Sequence, residues 1–387
     1  MKVDLSNMRI IDNHCHPFIL SREVKSFDNC FTLSLIPPKS QDTRNTLLFR
    51  MIRKELIDHF NLDPSITDDE LIQFRNDLYH NNPEKYVNDL FKDSRVESFL
   101  VDYGFPVLGD RLAQEELDWF HTKVEDAGIK VRRVHRVEAT FHPLFEKKVS
   151  FEDLETTFIR ELRNEVENNH TIAFKTVIAY HTGLNIQEVT REEANAGYKE
   201  FLLDANNVKA EKKVRDYLVL QALELCMEYD IPMQMHSGAG DAPLNNLKLS
   251  SPILLHDIIS NPAYRPAKII FIHTAYPFVE EASYLANQYH NIYLDLSSMI
   301  PFSSIGAYTK LKQIFEMAPF TKVLYGSDGF TIPEVSWLGT KIIKNALEEV
   351  LNELIDKGII DVDYAHKAAE MILSENARNL HHKNWDS

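Results

Sequence analysis

Eight short apolar runs with β-branched residues, ending at or beside a polar residue, recur along this chain. They are MRIIDNHCH (8–16), VESFLVDYG (96–104), KVRRVHRVE (130–138), TIAFKTVIAY (171–180), IPMQMH (231–236), KIIFIHT (268–274), NIYLDLSS (291–298) and KVLYGSD (322–328). Helical periodicity lies between several of them. RDYLVLQALELCMEY (215–229) carries apolar residues at i, i+3 and i+4 and is followed by Pro232, and VEEASYLANQY (279–289) repeats the pattern. Strand–helix alternation implies parallel strands joined by right-handed crossovers. Eight such units, about 250 residues in all, predict an α/β fold of the closed (β/α)8 barrel type, with an open doubly wound sheet as the other arrangement the alternation allows.

The rest of the 387 residues must attach to that frame. Residues 30–95 contain LLFRMIRKELIDHF and DDELIQFRNDLYH and show no strand-like alternation, so a mostly helical insertion is expected after strand one, with turns at Pro37-Pro38 and Asp63-Pro64. TKIIKNALEEVLNELIDKG, stopped by Gly358, and DYAHKAAEMILSENARNL predict two further C-terminal helices. One barrel domain over 1–387 accommodates all of this.

Polar strand ends decide between barrel and open sheet. Run one ends in His14-Cys15-His16, run four contains Lys175, run five ends in His236, run six in His273 and run eight in Asp328. In a barrel all strand C-termini open on one face, where such folds do chemistry. Residues i and i+2 of a strand share a face, so His14 and His16 can address one ion while Cys15 turns toward the helices. A lone histidine at a strand end is commonly a satisfied polar residue, and HxH alone is a weak signal among 16 histidines. Four histidines and an aspartate, each ending a buried strand, are different. Unpartnered buried imidazoles and carboxylates cost several kcal/mol, and a divalent cation would partner all of them. Such ligands suit zinc, with manganese or iron as alternatives.

These residues carry a family resemblance. The ordered set HxH, Lys, His, His, Asp resembles the amidohydrolase superfamily of metal-dependent hydrolases. IIDNHCH, FIHTAYPF, YLDLSS, LYGSD and SENARNL resemble its amidohydrolase-2 branch. FKTVIAYHTGL, MHSGAGD and GSDGF…PEVSWLG resemble the domain that some plant and fungal proteins carry fused to a glutamine-synthetase-like domain. His181 departs from the pattern, where an arginine is expected after the tyrosine of the fourth motif. The resemblance implies, for one-metal members, His14, His16, His236 and Asp328 as ligands with His273 orienting or deprotonating the water. For two-metal members it implies a carboxylated Lys175 as bridge, with His14, His16 and Asp328 on one ion and His236 and His273 on the other. Lys175 could instead bind a substrate carboxylate.

The implied activity is hydrolysis of an amide-like C–N bond in a small molecule, γ-glutamyl amides being one class, with Asp328 and His273 as the catalytic residues. The alternative is non-oxidative decarboxylation of an aromatic or unsaturated acid. Metal count and the state of Lys175 separate the two. Glu138, Tyr180, His181 and Tyr276 are candidate substrate contacts, Asp12 a candidate to orient a ligand, and Ser327 and Trp337 weaker ones. Cys226 is expected in the core, and the His381-His382 pair in a solvated tail.

Composition limits the remaining classes. Against 58 Asp+Glu stand 42 Lys+Arg, a formal charge of −16 that repels nucleic acid and anionic membrane surfaces. Three cysteines are too few for a disulfide framework and suit a reducing cytosol. No secretory h-region and no run of 18 apolar residues is present, so a cytoplasmic protein is expected and the sequon at Asn169 is read as chance. A small-molecule substrate and a homo-oligomer are the expected partners.

Overall fold

The computed structural model describes residues 2–18, 27–36, 38–104, 114–383 and 385. All eight runs become strands: β1 (Ile10–Cys15), β2 (Val96–Asp102), β3 (Lys130–Arg136), β4 (Ala173–Thr176), β5 (Met233–His236), β6 (Ile269–Ile272), β7 (Ile292–Asp295) and β8 (Val323–Leu324). They form one parallel sheet in the order β1 to β8. The ring closes through main-chain bonds from Asn13 N to Tyr325 O and from Asp328 N to His14 O, each 2.8 Å, between β1 and the chain just beyond β8. The fold is a (β/α)8 barrel. β1 is buried over its whole length, as expected of parallel strands covered on both faces.

Two packed layers result. Inside the barrel, Ile11, Leu100, Val134, Ile172, Ile270 and Leu324 form one apolar cluster, joined by Leu380 and Trp385 of the C-terminal segment. Outside it, the other strand faces pack against the helices. His381 belongs to the inner layer: its Nε2 lies 2.7 Å from Asn13 Oδ1, and it is buried. The solvated reading of the His381-His382 pair is therefore corrected for His381, and only His382 stays exposed, 3.2 Å from Asp230. The tail is polar in sequence, but it covers one end of the barrel and carries its histidine under it.

Between β1 and β2 lie the helices Ser40–Arg44, Leu47–Phe60, Asp68–Asn81 and Pro83–Ser94. Thr67 and Glu70 form a reciprocal capping box, and Asn82 caps the helix that begins at Pro83, where the missing N–H costs nothing. At the Asp63-Pro64 turn Asp63 accepts from Ser65 N at 2.8 Å; Pro37 lies outside the described residues. The first C-terminal helix starts earlier than its periodicity suggests, at Pro333, and ends at Asp356 before Gly358 (φ +69°). The second is broken by a π turn at Met371–Glu375. No helix among the described residues is long and apolar enough to cross a membrane.

One buried ion pair ties the insertion to the barrel. Arg75 forks onto Glu334, with Nη2 to Oε2 at 3.0 Å, while Tyr86 donates to Glu334 Oε1 at 2.7 Å. Both charges are essentially inaccessible to solvent, and the guanidinium lies 4.4 Å from the Tyr79 ring centre. Removing one partner leaves the other buried and uncompensated, a loss of about 3–5 kcal/mol. Arg75→Met should lower the urea unfolding free energy by that amount, and Arg75→Met/Glu334→Leu should recover much of it; a single variant as stable as the parent contradicts this role.

Candidate functional site

Three imidazoles are held by bonds on their Nδ1 side. Gln234 Nε2 donates to Asn13 O at 2.8 Å, which leaves Gln234 Oε1 to accept from His14 Nδ1, also at 2.8 Å. His16 Nδ1 donates to the main-chain oxygen of Asp102 at 2.9 Å. His273 Nδ1 donates to Ser297 at 3.0 Å from Oγ. The tautomers follow from these acceptors, and an imidazole fixed in this way presents Nε2 as a donor atom to a metal.

The Nε2 atoms of His14 and His16 face one carboxylate, and that of His273 faces His236. Asp328 Oδ1 lies 3.4 Å from His14 Nε2 and 3.4 Å from His16 Nε2. Asp328 Oδ2 is 3.8 Å from His273 Nδ1, and His273 Nε2 is 3.2 Å from His236 Nδ1. His236 Nε2 is buried and has no hydrogen-bond partner. Lys175 Nζ lies 2.9 Å from His14 Nε2 and 3.7 Å from Asp102 Oδ2. Burial pushes His14 down to about 3 and His273 down to about 4, so both rings are neutral near pH 7. Burial also brings Lys175 down to about 8 against the pull of Asp102.

The backbone that delivers these groups is strained. His273, Thr274 and Ala275 have φ of 66°, 47° and 51°, and Asp328 has φ 56°, all left-handed without being glycine. Such conformations persist only where the surroundings impose them, and they concentrate at functional sites. Gly240 closes the rim: a Cβ there would fall on the Tyr180 hydroxyl and 2.7 Å from His236 Nε2.

All six residues expected as ligands thus meet at one rim. The other candidates divide. Tyr180 lines the same cavity, its ring centre 4.4 Å from that of His236, and it donates to Asp241 Oδ2 at 3.2 Å. Tyr276 lines an adjoining apolar slot with Met299 and Phe302. Glu138 does not line the cavity: β3 ends at Arg136, a helix begins at Val137, and Glu138 accepts from Thr176 Oγ1 (2.6 Å) and Val177 N (2.9 Å). His181 follows a 3-10 turn that points it at His142, ring centres 5.0 Å apart, and it does not line the cavity either. Asp12 acts on the backbone, accepting from Ser327 N at 2.9 Å and His14 N at 3.3 Å. Ser327 bonds Ser336, and Trp337 is buried beside His59. Cys15 points away, toward Leu100 O.

Two strand ends escaped the reading of the sequence. Asp102, at the end of β2, clusters with His14 and His16, one donor atom of each lying within 4.8 Å of the others. Arg136, at the end of β3, binds Asp102 Oδ2 through Nε at 3.1 Å and Nη2 at 2.6 Å. That pairing occupies Asp102 and holds its carboxyl well below the usual range in spite of burial, with Lys175 assisting. Asp241 also lines the cavity, and its burial raises its pKa.

Residues 184–382 match the amidohydrolase family model. Protein fluG of Emericella nidulans is 28% identical over 307 residues, which cover 72% of this chain and 35% of that protein, so the chain spans about a third of its length. Among solved structures, a Lactobacillus casei protein assigned as a metal-dependent hydrolase is 25% identical with TM-score 0.83, covering 99% of this chain and 98% of that one. A Thermotoga maritima uronate isomerase shares the fold at 12% identity and TM-score 0.67, over 97% and 95% of the two chains. With more than half of its length matching the family model and its strand-end histidines and aspartates gathered on one rim, the chain belongs to the amidohydrolase family.

Proposed function

We propose that this protein is a metal-dependent hydrolase that cleaves an amide-like C–N bond of a small molecule. The observation that carries the proposal is the convergence of His14 Nε2 and His16 Nε2 on a single oxygen of Asp328, each at 3.4 Å. Lone pairs that face a carboxylate in a buried site repel unless a cation joins them. The unpartnered Nε2 of His236 adds a fourth donor to the set. The residues therefore fit a divalent cation, and we assign His14, His16, His236 and Asp328 to hold it. Imidazole and carboxylate donors favour zinc, then manganese or iron. A second ion would draw on His273 and a carboxylated Lys175.

Such a cation, when bound, makes water acidic enough to ionise near neutral pH and polarises a carbonyl. The side chains supply the rest. Asp328 takes the proton from the attacking water and returns it to the leaving nitrogen. His273, fixed by Ser297, orients that water. Arg136 and Lys175 engage Asp102, which commits that carboxylate to them rather than to the water. Gamma-glutamyl amides are the first substrate class to test, the class that the motif resemblance to the domain fused to a glutamine-synthetase-like domain implies. One observation favours the decarboxylase reading, namely that two cations, Arg136 and Lys175, line the cavity and suit an acid. Released amine or released carbon dioxide distinguishes the two.

Asp328→Asn should keep the fold and lower kcat by about 10²–10⁴-fold, the usual contribution of a positioned acid–base group; an unimpaired variant removes the assigned role. Chelation should abolish turnover and zinc should restore it, with elemental analysis and intact mass reporting ion count and any adduct on Lys175; full activity in a metal-free chain sinks the proposal. Gly240→Ala should displace Tyr180 and His236 and reduce both metal content and turnover, and parent-like values for both would show that the rim tolerates a side chain there.

A further inference from the structure

The hydrolase reading leaves one edge of a charged group on the rim unused. Arg136 is only 5% exposed, and its Nη1 is buried with no hydrogen-bond partner. Its Nε and Nη2 are both spent on Asp102 Oδ2. Its side chain is held in place, because a Cβ on Gly104 would lie 2.6 Å from Arg136 Cδ, so only glycine lets that wall close on the stem. Arg136 pairs in register with Lys175 across β3 and β4, and both line the cavity that His16, His236 and Asp328 share. Both cations contact the same oxygen of Asp102, and a guanidinium edge with a free N–H beyond that pairing is suited to a carboxylate.

The opposite wall has the opposite character. Leu33, Ala239, Met299 and Phe302 form an apolar slot beside His273, and Leu33 and His273 line both this slot and the cavity of Arg136. β3 and β7 lie four strands apart in an eight-stranded ring, so the guanidinium and the apolar slot beyond β7 flank the histidines from opposite sides.

We infer that Arg136 binds a substrate carboxylate through Nη1 while the Met299–Phe302 slot takes an apolar group, so that the substrate is a small molecule with an anionic end and an apolar end and the reacting bond between them. Only the nature of that bond rests on the hydrolase reading. In that case water adds OH to the acyl carbon and H to the nitrogen as the C–N bond breaks, and an apolar amine leaves into the slot.

Three probes of one series test this on the metal-loaded protein by calorimetry and by aniline release: the monoanilide of glutaric acid, pentananilide, which lacks the carboxylate, and the N-methyl monoamide of glutaric acid, which lacks the ring. The monoanilide should bind at least tenfold more tightly than either, and Arg136→Gln should erase its advantage over pentananilide only. Equal binding of the anionic and neutral anilides to the parent protein overturns the proposal without any variant having to fold. An advantage that survives in folded Arg136→Gln also overturns it, since the carboxylate would then sit elsewhere. The expected binding pattern without aniline release upholds it and defeats the hydrolase reading instead, whereas aniline released from both anilides with the same KM upholds hydrolysis and defeats the proposal.

Discussion

A closed parallel sheet ends every strand on the same rim, and burial makes each polar group delivered there require a partner. These two constraints organise the molecule. Histidines and an aspartate separated by more than 300 positions in the sequence meet because their strands share a direction, and once buried they cannot remain uncompensated. The Nδ1 bonds to Gln234, Asp102 O and Ser297 then set which nitrogen each ring presents. The left-handed backbone at His273–Ala275 and Asp328 shows how far the chain departs from its preferred conformations to bring these groups together.

The strands were legible because parallel barrel strands are buried on both faces and leave continuous apolar runs, and all eight runs contain the strands observed. The helical insertion was legible because residues 30–95 show no strand-like alternation. The ligand candidates were legible because they end those runs. The same rule, applied evenly, would have picked out Asp102 and Arg136, which end β2 and β3. They escaped because an aspartate–guanidinium pair acquires its meaning only from the adjacent strands' register, which apolar patterning does not reveal. Glu138 and His181 failed for a more local reason. Each lies just past a strand end, where a helix or a 3-10 turn rotates the chain, so nearness to the rim in sequence did not place it on the cavity.

The insertion is more than an appendage. Leu33–Leu35 pairs with Ala242 in the loop after β5, through Leu35 N to Ala242 O at 2.8 Å and Ala242 N to Leu33 O at 3.1 Å. That contact brings Leu33 onto the cavity that Gly240 also lines. Farther out, Arg75 and Glu334 fasten the insertion to the helix that follows Asp328. The insertion thus shapes the wall of the site and is anchored close to its carboxylate. At the other end of the barrel, His381 bonds Asn13, which bonds Asp295, whose other oxygen accepts from Ser297 N, so a hydrogen-bonded path runs from the C-terminal segment to the residue that holds His273.

The account stands on a cation bound among His14, His16, His236 and Asp328. Anomalous diffraction at the zinc edge from crystals of the zinc-loaded protein tests it most directly. A single strong peak within coordination distance of those four side chains is the expected result, joined by a second beside Lys175 and His273 if two ions bind. No peak at the rim, or zinc only on surface histidines such as His382, would contradict it.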